Sequence, residues 1–144
     1  MRAIQRTSIS ALCWHETLGL PAAQSQVIHF EKEIGIVIER YDRQHKGNGI
    51  VRIHQEDICQ VLGSMPTKKY QNESGPSAAD VVELLRASST DREADVNTFI
   101  DAIGFNWLIA GTDAHAKNYS LLLGGGPNVP LRLAPLSVTQ VTTF

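Results

Sequence analysis

Only two cysteines, Cys13 and Cys59, occur in the 144 residues, far too few for a disulfide-stapled scaffold. They read as free thiols of a reducing compartment, with a disulfide between them as the alternative. No apolar run approaches the roughly 20 residues that cross a bilayer. The basic start Met1–Arg6 is not followed by an apolar segment, so no signal peptide is expected and the cytoplasm is the expected location. Lys and Arg total 13 against 15 Asp and Glu, a net charge of −2 that argues against direct nucleic-acid binding. The Lys68-Lys69 pair reads as a solvated loop. Neither H-x-x-x-H nor C-x-x-C pairing occurs, so His54-Gln55-Glu56-Asp57 reads as a helix start, with Glu56 and Asp57 at its positive end. Gly124-Gly125-Gly126 lacks the G-x-x-x-x-G-K-[ST] pattern of a phosphate loop and reads as a hairpin turn. No internal repeat is present.

What remains is an ordinary globular composition, 42% hydrophobic and 19% charged, at the size of one domain. Ile9, Leu12 and Cys13 fall at helical spacing ahead of Gly19 and Pro21, so a helix is expected over Ser8–Leu18. Val27–Phe30 and Ile34–Tyr41 are rich in β-branched and aromatic residues around Glu31-Lys32-Glu33, the pattern of an antiparallel hairpin. The polar, Gly-containing stretch Gln44–Gly49 is expected to form a boundary. Beyond it the pattern turns helical. A short helix is expected over Glu56–Leu62, closed by Gly63, then a long loop over Met65–Pro76. Ser77 with Asp80 makes a helix start, followed by a buried face of Val81, Val82, Leu84 and Leu85. Val96, Phe99, Ile100 and Ile103 predict a helix from Asp95 to about Ala110, ended by Gly111. Its last residues, Phe105–Ala110, are expected to be buried. Two short strands, Tyr119–Leu123 and Leu131–Leu133, follow.

Asp113-Ala114-His115-Ala116-Lys117-Asn118 lies between that helix and the first of those strands. A short polar loop between buried elements is where a catalytic constellation is expected. The spacing suits phosphoryl transfer, in which an Asp receives the proton of an attacking hydroxyl and an Asn ligates the Mg²⁺ that bridges nucleotide phosphates. Asp113 alone is equally well read as a turn or cap acid.

The run Gly111–Ser120 resembles the catalytic loop of the HipA-like serine/threonine kinases, the toxin halves of bacterial toxin–antitoxin pairs. Val37–Arg43 resembles the hinge strand of that family, and Arg52–Asp57 the segment that opens its helical lobe. The resemblance runs from about Ser10 to Leu136 and covers the middle of the family's sequence. It implies an α+β, mostly helical, partial kinase-like fold: small-lobe edge and hinge over 1–44, helical lobe with catalytic loop over 45–136, and an off-pattern tail over 137–144. It also implies ATP and Mg²⁺ as cofactors, a Ser or Thr of a protein as substrate, and a HipB-like DNA-binding antitoxin as partner. Asp113 becomes the base, Lys117 a cation near the transferring phosphate and Asn118 the metal ligand. His115 would bond phosphate or backbone, as a catalytic or nucleotide-binding group or as a loop brace. Glu39, Arg40 and Tyr41 would carry the backbone that meets adenine, the alternative being a plain strand end with surface ion pairs.

Two parts of the family pattern are not found. No lysine precedes Lys32, which leaves no strand lysine for the phosphates. Arg132–Leu136 resembles the lead-in to the second metal-binding segment, but Ser137 and Val138 stand where an aromatic and an Asp are expected. Impaired catalysis, exposed apolar surface and a truncated or frame-altered remnant are the expectations that follow. The alternatives from other classes are a non-catalytic module that binds an antitoxin or kinase, and a metal-dependent phosphohydrolase using Asp113 and His115.

Overall fold

The computed structural model describes residues 19–31, 33–109, 115–124 and 131–136. The helix expected over Ser8–Leu18, Asp113, the Gly111 helix stop, most of the glycine turn and the tail after Leu136 lie outside them.

The first hairpin forms as its β-branched content indicates. β1 (Ser25–Phe30) pairs antiparallel with β2 (Glu33–Ile38), with Val27 opposite Ile36, and Glu31 takes φ +49° in the turn. The second strand stops at Ile38 rather than Tyr41. Glu39 N–H still donates to Gln24 O at 2.8 Å, a last rung beyond the strand.

Gln44–Gly49 is not a plain linker. β3 (Arg43–Lys46) and β4 (Gly49–Arg52) form a second antiparallel hairpin around Gly47 and Asn48, with Gly47 at φ +60°. A two-residue turn with a left-handed glycine matches the twist of the strands it joins. Asp42 is buried at the base of this hairpin. Its carboxylate takes Arg43 and faces Arg52, and its carbonyl accepts Ile53 N–H at 2.9 Å.

His54–Asp57 is a strand, not a helix start. This β5 pairs antiparallel with β6 (Ser120–Leu123), and β6 pairs with β7 (Arg132–Leu133). Strand pairing across more than sixty residues outweighs the local acidic signal, and only Asp57 keeps a helix role. It is the N-cap of α1 (Ile58–Val61), in a reciprocal capping box with Gln60. Gly63 closes that helix at φ +65°.

α2 (Ala78–Ser88) starts at Ser77, which caps it with Asp80, and buries Val81 and Leu85. α3 (Arg92–Leu108) buries Val96, Phe99, Ala102 and Phe105. Ile100, Trp107 and Leu108 are exposed instead, with Trp107 81% accessible. Helical geometry puts 100, 104, 107 and 108 on one stripe, opposite the buried one, so Phe105–Ala110 is not uniformly interior.

Two compact units divide the chain: Met1–Arg40, Asp101–Ala114 and Pro135–Phe144 in the first, Tyr41–Ile100 and His115–Ala134 in the second. In the first, Leu20, Ala23, Ala102, Phe105 and Leu136 are buried, and Ala22 bridges Leu136 in parallel. In the second, Ile58, Leu85 and Leu121 are fully buried. Among the described residues both helices and strands are well represented, so the class is α+β with mixed content rather than mostly helical. No helix among the described residues is long and apolar enough to cross a membrane.

Candidate functional site

The second unit brings His115, Lys117 and Asn118 onto one short turn. After His115 the chain makes a single 3₁₀ turn over Ala116–Asn118, in which Asn118 N–H donates to His115 O at 2.9 Å. Tyr119 then packs edge-on to Phe99, with ring centroids 4.9 Å apart, and its carbonyl accepts Ile58 N–H. The turn is thus stitched to α1 on one side and packed on α3 on the other. Lys117 is exposed, Asn118 half-buried and His115 buried.

Sequence reasoning missed the other wall of this site. Ala116 N–H donates to Lys69 O at 3.2 Å, and Lys69 Nζ lies 3.1 Å from His115 Nε2. The same ammonium stands over the Tyr70 ring, 4.8 Å from its centroid, while that ring meets His115 edge-on at 5.2 Å. Lys68 is exposed as a solvated loop residue should be, but Lys69 is half-buried against the histidine. No periodicity or motif links positions 69 and 115; the Tyr beside the lysine pair is the only local signal.

The loop that carries Lys69 and Tyr70 is tightly closed. Glu73 N–H and Gly75 N–H both donate to Tyr70 O, at 3.0 and 2.9 Å, and Ser74 adopts φ +63°. A Cβ on Gly75 would lie 2.6 Å from Tyr70 O and collide with Lys68 O, so the closure depends on glycine.

Beneath the turn sits Cys59, a buried free thiol. Burial, and then the charge of Asp57, push its pKa above the usual thiol value, while Lys117 pulls the other way. It is held as an inert thiol rather than a nucleophile.

The expected nucleotide-edge residues fall in both units. Glu39 and Arg40 belong to the first and are exposed; Tyr41, half-buried, opens the second. Glu39 lines an open groove of about 450 Å³ with Gln24, Ser25, Gln26 and Val37. The catalytic and metal assignments rest on Asp113, outside the described residues, and on Asn118. Among the described residues no group of three or more His, Cys, Asp or Glu side chains could hold a metal ion.

Comparison with known proteins gives this geometry a context. Residues 4–136 match the model of the HipA-like C-terminal domain. The chain is 47% identical over 103 residues to the putative kinase Y4mE of Sinorhizobium fredii, covering 70% of this chain and 24% of that protein. It is 29% identical over 121 residues to the serine/threonine-protein kinase toxin HipA of Shewanella oneidensis, covering 75% of this chain and 28% of that one. It thus spans about a quarter of the length of these relatives. A solved complex of HipA, HipB and operator DNA from Shewanella oneidensis superposes with a TM-score of 0.82 over 93% of this chain and 34% of that one, at 24% identity. That likeness is one of fold. With the family model spanning nearly all of the sequence, the chain belongs to the HipA-like C-terminal domain family.

Proposed function

We propose that this chain is part of a HipA-like serine/threonine protein kinase and carries its catalytic loop on residues 113–118. In this reading Asp113 takes the proton from a Ser or Thr hydroxyl of a protein substrate, and Asn118 ligates the Mg²⁺ of ATP. Lys117 places positive charge beside the transferring phosphoryl group. Bound Mg²⁺ would supply charge neutralisation at the phosphates; the chain's own residues hold and orient. By the family resemblance, backbone groups of Glu39, Arg40 and Tyr41 would pair with the adenine edge. A HipB-like antitoxin is the proposed partner, by analogy with the relative whose solved complex contains HipB.

One observation carries the reading: Lys117 and Asn118 stand on a turn braced on two sides, inside the stretch that the family model matches. By itself the chain is expected to bind nucleotide better than it turns it over. No lysine precedes Lys32, and no Asp follows Leu136 in these 144 residues. The phosphohydrolase alternative would use His115 as a metal ligand. A lysine ammonium 3.1 Å from its Nε2 opposes a second cation there. The interaction-module alternative needs no nucleotide at all.

Calorimetric titration of ATP with and without Mg²⁺ tests the proposal. Binding that requires Mg²⁺ supports it. The absence of binding supports the interaction module, and phosphate release from a simple phosphomonoester supports the hydrolase.

A further inference from the structure

Lys69 holds the histidine loop at two places. Its carbonyl accepts Ala116 N–H at 3.2 Å, and its ammonium reaches His115 Nε2 at 3.1 Å, so one residue grips a side chain and the next backbone amide. Forty-six residues separate the partners, and the loop that carries Lys69 is closed by two amides on Tyr70 O and by the tight fit of Gly75. The ammonium is further fixed over the Tyr70 ring, and that ring stands edge-on to the imidazole at 83°. A lysine ammonium has three donors and no acceptor, so Nε2 must offer its lone pair and the ring hydrogen must lie on Nδ1.

We propose that Lys69 is a positioning residue: it locks His115 as the neutral Nδ1–H tautomer and thereby sets the start of the turn that presents Lys117 and Asn118. The lock has two chemical consequences. His115 cannot act as a base or a metal ligand through Nε2, because that lone pair is engaged. Its Nδ1 can only donate, which suits a carbonyl or phosphate oxygen and excludes a donor there. Lys69 itself does not touch the reacting atoms. Its influence on nucleotide handling rests on the proposed reading of 113–118 as a catalytic loop, whereas the tautomer lock does not.

The test is a long-range ¹H–¹⁵N spectrum of the histidine side chains in the ¹⁵N-labelled full chain, with the five histidines separated by a His115→Gln variant that removes one pattern. The expected result is a His115 pattern with a bare Nε2 and a protonated Nδ1 at neutral pH. Lys69→Met, which keeps length but removes the donor, should release that pattern to the Nε2–H or mixed form, and Lys69→Arg should restore it. Mg²⁺–ATP affinity should fall about tenfold in Lys69→Met and recover in Lys69→Arg, the scale seen when a group orienting a ligating residue is removed. A His115 that carries its hydrogen on Nε2 in the unaltered chain overturns the inference, whether or not the variants fold. So does a Lys69→Met chain with an unchanged pattern. Loss of all nucleotide binding in the unaltered chain, with the Nδ1–H pattern intact, overturns the kinase reading and leaves the lock standing.

Discussion

Asp95 and Arg132 form a two-pronged ion pair, with Arg132 Nη2 at 2.9 Å and Nε at 3.1 Å from the same carboxylate. Asp95 is 3% accessible, and Ser89 Oγ and Leu133 N–H also donate to it, at 2.6 and 2.8 Å. One buried carboxylate thus ties the first turns of α3 to strand β7. Replacing Asp95 by Ala leaves Leu133 N–H and Ser89 Oγ without this acceptor and Arg132 with only its longer 3.8 Å pairing to Asp91. The predicted loss is about 3 kcal/mol of stability, measured by chemical denaturation.

The same carboxylate makes stability depend on acid. Burial pushes the Asp95 pKa up, but hydrogen bonds from Arg132, Ser89 and Leu133, with the Arg132 charge, outweigh it and hold the carboxyl below its ordinary value. A lowered folded pKa means its contribution is fully present above the ordinary carboxylate range. It is lost as pH falls through the lower folded value. Thermal melts of the unaltered chain should therefore drop on that acid side, and the Asp95→Asn chain, already weaker at neutral pH, should drop less.

Gly75→Ala is predicted to cost about 2 kcal/mol, since the added methyl meets backbone carbonyls that cannot rotate away. A melting temperature equal to that of the unaltered chain would show that the 68–75 loop is not the closed structure described.

Ser77→Ala removes the N-cap of α2 and should cost about 1 kcal/mol. Hydrogen bonds from the Ser77 side chain and backbone hold the Asp80 carboxyl below its usual range. With the hydroxyl gone, the Asp80 titration midpoint followed by NMR should rise toward the ordinary value.

Trp107 and Leu108, 81% and 75% accessible, form the exposed end of an apolar stripe on α3. Lysine at both positions should raise solubility with little change in melting temperature, because neither side chain is part of the core. A large fall in melting temperature would mean that the stripe is packed in solution.

The parts legible in the sequence were those written in adjacent residues. The β1–β2 hairpin followed from its β-branched runs, the α2 start from Ser77 and Asp80, and the buried face of α3 from Val96 and Phe99. Errors arose where distant chain decides the outcome. His54–Asp57 looks helical from its acids but is a strand because β6 lies beside it. Arg43–Arg52 alternates nothing, since its residues are mostly exposed, so only Gly47-Asn48 hinted at a hairpin. Ile100, Trp107 and Leu108 are apolar yet outward, a choice that composition cannot express. At the candidate site, type and spacing nominate the loop's own residues, whereas the Lys69 grip on His115 depends on a contact that no local pattern encodes.

The most direct measurement is a calorimetric titration of Mg²⁺–ATP into this chain and into its Asn118→Ala variant, with matched melting curves to establish that both are folded. Loss of the amide oxygen is predicted to weaken Mg²⁺-dependent binding by about tenfold or more, while binding in EDTA stays equally poor in both. Equal Mg²⁺-dependent affinity in two equally folded chains would contradict the assignment of Asn118, and with it the reading of 113–118 as a phosphoryl-transfer loop.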